Sequence, residues 1–131
     1  MEIKDNNDFT VIVIDQLEKV DNSHDFLKFN FSVKLNNFQG VQELSAEFSD
    51  FEEMFLHLKK MLQSLNHIFY FQHNDERLKM KFQPDITGKI NIEGTLFDEM
   101  YINSLSFSFQ TEVVAMENFN KELEMFLEDR Y

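Results

Sequence analysis

Hydrophobic positions recur along this chain with two periods, and the switches between them mark its elements. Phe9 to Ile14 is nearly all apolar or β-branched, which reads as a strand covered on both faces. Asp21-Asn22-Ser23-His24-Asp25 follows as a polar turn. Leu27, Phe29, Phe31, Val33 and Leu35 then alternate with Lys28, Asn30, Ser32 and Lys34, the period of two of a half-buried strand. Asn36-Asn37 signals a turn, and Val41 to Phe48 reads as a third strand with Leu44, Ala46 and Phe48 inward.

Helical spacing takes over at Phe51, Met54, Phe55, Leu58, Leu62 and Leu65, predicting a helix over about 50–65. Ser49 with Glu52, or Asp50 with Glu53, has the spacing of a capping box at its start. His67 to Gln72 is apolar on both faces, and Leu78, Met80 and Phe82 alternate with Arg77, Lys79 and Lys81 until Gln83-Pro84-Asp85 breaks the strand. Ile90, Ile92 and Leu96 continue the inward pattern, with Gly94 in line as a bulge or a close backbone approach. Leu105, Phe107 and Phe109 alternate with serines and Gln110. Ala115, Met116, Phe119, Leu123, Phe126 and Leu127 then predict a helix over about 112–129, with Thr111 as its N-cap.

Strands, helix, strands, helix is an α+β order. Short turns between consecutive strands predict an antiparallel β-sheet, with both amphipathic helices packed on one face. The helices start about 62 residues apart, near half the length, which suggests a strand-and-helix pseudo-repeat. No linker divides the chain, so residues 1–131 are expected to form a single domain.

Composition narrows the chemistry. Sixteen Phe and no Trp make phenylalanine the main core residue, and the absence of Cys excludes disulfides, thiolate metal sites and a Cys nucleophile. The net charge of −12 argues against binding nucleic acid through phosphates or docking on an anionic membrane. It fits a basic protein partner, or plain solubility. The amino end is polar and the longest apolar run, Val11 to Ile14, is too short to span a bilayer, so a cytoplasmic location is expected.

Catalytic patterns are missing. His24, His57, His67 and His73 form no spacing typical of a metal site, so no metal or cofactor is expected. Ser104, Ser106 and Ser108 lack the glycine-rich elbow and neighbouring histidine of a nucleophile and read as the wet face of a strand. Arg77, Lys79 and Lys81 form the one local basic stripe, which balances neighbouring acids or guards an edge strand. From Glu93 to Tyr131 there are nine acids and two bases, which reads as a solvated helix face or as an acidic surface for a cationic partner.

Several of these elements resemble the bacterial immunity proteins of the WapI type, which protect a cell from contact-dependent, secreted toxins. Gly88-x-Ile90-x-Ile92, Leu105-x-Phe107-x-Phe109-Gln110-Thr111 and Phe119-x-x-x-Leu123 carry the likeness in the second half. In the first half, Asp25-Phe26-Leu27-Lys28-Phe29 is similar to the family's strand with an aromatic-Leu pair, and Leu58 and Leu62 match its first helix. The family's frequent Trp before that Leu is Phe26 here. The resemblance implies a stoichiometric inhibitor of one cognate toxin domain; with no enzyme signature in the chain no catalysis is expected, and a monomer is expected over a dimer. Many such toxins are nucleases, basic enough to hold nucleic acid and therefore attracted to an acidic partner. The charge excess near the carboxyl end places the expected contacts among Asp98, Glu99, Glu112 and Glu117. An acidic export chaperone that binds an unfolded effector segment as a dimer is the alternative.

Overall fold

Each half of the chain runs through four antiparallel strands and closes on a helix of 17 residues. The computed structural model describes residues 1–20, 25–72 and 75–129. The first half contains β1 (Glu2–Lys4), β2 (Thr10–Lys19), β3 (Phe26–Leu35), β4 (Phe38–Glu47) and α1 (Phe48–Ser64). The second contains β5 (Phe69–Gln72), β6 (Leu78–Pro84), β7 (Ile90–Phe97), β8 (Ser104–Thr111) and α2 (Val113–Asp129). The α+β class and both helices stand as the sequence indicates. The strands, however, divide between two sheets, ordered β1-β2-β3-β4 and β5-β6-β7-β8. The pseudo-repeat is therefore present as two successive ββββα units.

Alternation sets the core of the first sheet. Leu27, Phe29, Phe31 and Val33 of β3 are buried, as are Leu44 and Ala46 of β4. The two strands pair from Phe26↔Glu47 to Leu35↔Phe38, and Asn36 turns between them at φ 55°, a left-handed conformation that Asn tolerates. β2 buries Val11, Ile12 and Ile14, while Phe9 lies outside it and is exposed. A register shift between Asp15 and Glu18 bends the strand, with Gln16 at φ 53°. β1 is an addition to the sequence reading, anchored by the buried Ile3.

The helix-start signal is offset from the expected pairs. Glu47 and Asp50 form the capping box of α1, the Glu47 N–H donating to Asp50 Oδ2 at 2.9 Å, so neither Ser49–Glu52 nor Asp50–Glu53 plays that part. α1 ends with Leu65 at φ 54°, its N–H returning to the Met61 carbonyl at 2.8 Å. Thr111 ends β8 and is no N-cap; its buried hydroxyl donates to the Lys4 carbonyl, tying β1 to the second sheet. β5 also departs from expectation. Phe69 and Phe71 are buried but Tyr70 is exposed, so one face is open rather than both covered.

Phenylalanine joins the halves. Phe51 of α1 packs edge-on to Phe29 of β3 at 5.3 Å and to Phe126 of α2 at 6.1 Å. Phe31 of β3 meets Phe107 of β8 at 6.5 Å. Each fully buried Phe contributes about 1.5–3 kcal/mol of transfer free energy, so this core is the main source of stability. Among the described residues no helix is long and apolar enough to cross a membrane. The turn predicted at Asp21 to His24 lies outside the described residues, as do His24 and His73.

Candidate partner-binding surface

The loop between β7 and β8 is built around Asp98. Its Oδ1 accepts the Ile102 N–H at 3.0 Å, and its Oδ2 accepts the Asn103 N–H at 3.2 Å and the Asn103 side-chain amide at 2.9 Å. Backbone bonds from Asp98 N–H to the Asn103 carbonyl and from Tyr101 N–H to the Asp98 carbonyl, both 3.1 Å, close the same ring. An aspartate opening a turn does this well, because its short carboxylate reaches the following N–H groups. The Asn103 amide above all, and then the backbone donors, stabilise the charged form and hold the Asp98 carboxyl below the usual aspartate range.

That network fixes large apolar side chains in solvent. Met100 is 73% exposed, Ile102 75% and Tyr101 51%. Tyr101 sits at φ 58°, a conformation that strains a bulky residue. Its hydroxyl donates to the Asp75 carbonyl and its ring lies 6.2 Å from Phe97, which anchors the loop to the turn before β6. Glu99 stands exposed beside Met100. Between this loop and β4 lies a cleft of about 260 Å³, bounded by Gln39, Gly40 and Gln42 on one side and by Leu96 to Asp98 and Asn103 to Leu105 on the other.

The four carboxylates expected to contact a partner do not form one patch. Asp98 and Glu99 share the β7–β8 loop. Glu112 follows the opposite end of β8, an eight-residue strand spanning roughly 24 Å at about 3.4 Å per residue. There it faces Lys89, Oε1 to Nζ 3.8 Å. Glu117 lies further along α2, at a groove between the helices lined also by Phe55, Leu62 and Asn120. Asp98 is occupied by its own loop. Met100, Tyr101 and Ile102 are candidates the sequence reading passed over, although three large apolar residues in a turn are themselves a signal.

The basic stripe separates in space. Arg77 turns toward β4, Nη2 donating to Gln42 Oε1 at 2.7 Å and Nη1 to the Glu43 carbonyl at 3.3 Å, which covers part of that sheet edge. Lys81 sits 3.8 Å from Glu93 and 5.8 Å from the Tyr70 ring centre. Lys79, Lys81, Tyr70, Ser106 and Ser108 share the open, concave face of the second sheet, a hollow of about 620 Å³ that no histidine lines. Ser106 and Ser108 lie exposed on this wet face, and Glu93, the cross-strand partner of Ser108, faces Lys81. His57 Nδ1 and His67 Nε2 lie 3.1 Å apart as a hydrogen-bonded pair. Among the described residues no three His, Cys, Asp or Glu side chains converge to hold a metal.

The geometry thus offers a hydrogen-bonded loop with exposed apolar side chains beside a small mixed cleft, on a strongly acidic chain. No curated protein and no solved structure matches this chain. A family model, the immunity protein WapI-like family, matches residues 2–129. That match spans nearly all of both ββββα units, and the chain belongs to the WapI-like immunity protein family.

Proposed function

We propose that this protein neutralises one cognate toxin domain by binding it as a monomer, one to one and without catalysis, in the cytoplasm of the cell that makes it. The toxin is a basic nuclease delivered by contact-dependent secretion. The observation that carries the reading is the net charge of −12 on a member of an immunity family. A nuclease presents a cationic groove to phosphates, and an acidic protein of this charge is drawn to the same field. Self-protection needs fast capture, and steering raises association rates by roughly 10- to 1000-fold over the unsteered value. In this reading Asp98 and Glu99 lie at the contact, while Glu112 and Glu117 act through the long-range field.

The test is co-expression with the carboxyl-terminal domain of any large secreted protein encoded beside this gene. Rescue of growth, a one-to-one complex, and an association rate that falls at least tenfold between low and high salt are the expected results. A dimer that retains an unfolded segment, with no toxicity to rescue, would replace this reading with the chaperone one.

A further inference from the structure

We propose that the outer edge of β8, from Ser104 to Ser108, pairs with an edge strand of the toxin. This rests on the immunity reading above and adds which part of the fold the toxin grips and through what chemistry. The direction of the main chain comes first. β7 and β8 pair without a register shift from Ile90↔Thr111 to Phe97↔Ser104. One step further, the Asp98 N–H donates to the Asn103 carbonyl at 3.1 Å, so Asn103 points toward β7. Successive residues of an antiparallel strand bond to opposite sides. Leu105, Phe107 and Phe109 therefore bond to β7, while Ser104, Ser106, Ser108 and Gln110 direct their N–H and C=O groups outward. Gln110 obeys this rule, since its carbonyl accepts the Asn6 N–H at 2.9 Å from outside the sheet. Among the described residues nothing bonds the outward main-chain groups of Ser104, Ser106 and Ser108. They form an open ladder of roughly 14 Å, at about 3.4 Å per residue.

The remaining sheet edges are short or covered. β1 has three residues and β5 has four. On β4 the Arg77 guanidinium reaches the outward Glu43 carbonyl at 3.3 Å. β8 lacks the usual guards: between Ser104 and Ser108 there is no charged residue, no proline and no bulge. The serine hydroxyls are not what a partner reads. They stand on the face of the sheet, where Ser106 Oγ lies 3.3 Å from Thr95 Oγ1, and the main chain leaves from the edge. On the opposite face Leu105 and Phe109 are only half-buried, so an added strand with apolar side chains on that face would complete their burial.

Charge decides between a toxin strand and a second copy of this chain. Two copies pairing antiparallel about Ser106 would set Ser104 of one against Ser108 of the other. Each β7–β8 loop, with Asp98 and Glu99, would then lie beside the other copy's Gln110–Glu112 end. Acids would meet acids at both ends of the strand, between two chains of charge −12 each. A strand of a basic protein, flanked by lysine or arginine, meets a favourable field at the same two ends. Lysine is also the residue that commonly guards an edge strand, so such a partner strand stays soluble until it docks.

The experiment measures the affinity of the neighbour-encoded toxin domain for the full-length chain and two proline variants. Ser106→Pro removes an outward N–H and no bond of the internal ladder, and should weaken binding about thirtyfold or more, the size of a hot-spot loss. Tyr70→Pro is its counterpart on the far edge. Arg77 points to β7, its carbonyl accepting the Phe97 N–H at 2.8 Å, so the same alternation carries Tyr70 outward from β5. That variant should stay within threefold of the parent. Thermal melts check that both fold. If Ser106→Pro binds as tightly as the parent, the docking edge is wrong and the immunity reading stands. Equal losses for both variants would show a general effect on the sheet and also overturn the edge. A parent that binds no toxin overturns the immunity reading and the occupant together.

Amide exchange on the unaltered chain needs no variant to fold. In the free chain the Ser106 and Ser108 amides should exchange fast, and those of Phe107 and Phe109 slowly. Bound toxin should slow Ser106 and Ser108 by about a hundredfold. Unchanged exchange at these two amides in the complex would overturn the pairing. Slow exchange at Ser106 in the free chain would also overturn it, a dimer in light scattering then assigning the edge to a second copy and a monomer showing it covered from within.

Discussion

The ring of Phe107 lies against the backbone of Gly94, its cross-strand partner in the second sheet. A Cβ on Gly94 would stand 2.6 Å from Phe107 Cζ and 2.5 Å from the Lys79 carbonyl oxygen. Real carbons do not approach so closely, so glycine is required here for space and not for a turn. The register runs through Gly94 without a shift, from Met80 on one side to Phe107 on the other, which decides between the bulge and the close approach in favour of the latter. Gly94→Ala should therefore destabilise the protein by about 1–3 kcal/mol, as overpacking does, read from urea unfolding. Trimming the ring with Phe107→Leu should recover little of that loss, because the Lys79 carbonyl belongs to the backbone and cannot move aside. A neutral Gly94→Ala would show that the two strands are not this close.

Thr111 and Lys4 provide a second link between distant parts of the chain. The Thr111 hydroxyl is buried and donates to the Lys4 carbonyl, so β1 is held by one side chain from the last strand. Thr111→Val keeps the shape and removes the donor, and should cost about 0.5–1.5 kcal/mol plus whatever the unpaired carbonyl loses. Amide exchange should then accelerate at Glu2 to Lys4 more than anywhere in α1. Uniform acceleration, or none, would mean that pairing with β2 and the burial of Ile3 hold β1 without help from Thr111.

These two residues also show what the sequence could reveal. β3 and α1 were legible because each carries a long, regular apolar period, and a period states which face is buried whatever the partner. β1 was not, because three residues with a single buried Ile3 leave no period to detect. The division into two sheets was equally hidden: alternation in β3 and β6 tells inside from outside but not which strand lies alongside. Thr111 has the local chemistry of an N-cap, and a long-range hydrogen bond to Lys4 outweighs it. Charge counting picked out Asp98 and Glu99, which share the β7–β8 turn. It could not foresee that Asp98 folds onto its own loop, or that Glu112 stands at the other end of β8.

A single cooperative unit is expected from the way Phe51 bridges the two halves. It is 1% exposed and touches Phe29 of the first sheet and Phe126 of the second helix. Neither ββββα half can be removed without exposing this ring. Thermal or urea unfolding should follow one transition, with far-ultraviolet and aromatic circular dichroism coinciding. Phe51→Ala should lower stability by about 3–5 kcal/mol while keeping the transition single. Two resolved transitions in the parent protein would divide the chain into separate domains.

Asp98 makes stability depend on pH in a predictable direction. Its carboxyl is held below the ordinary value of 3.8, by the Asn103 side chain first and then by backbone N–H groups. A group whose pKa is lower in the folded state contributes stability that is fully present above its unfolded pKa and lost as pH falls through the folded one. Asp98→Asn should therefore be less stable than the parent at pH 7. That gap should stay constant down to about pH 5 and narrow below the ordinary aspartate range, where the parent carboxyl itself becomes protonated. Asp85 has the same sign, its carboxyl lowered chiefly by Thr87, so a parallel Asp85→Asn series provides an independent second case. Urea unfolding of the parent and both variants between pH 7 and pH 2.5 tests this. A gap that widens on acidification would mean that the Asp98 network favours the protonated acid, and the assignment of its donors would be wrong.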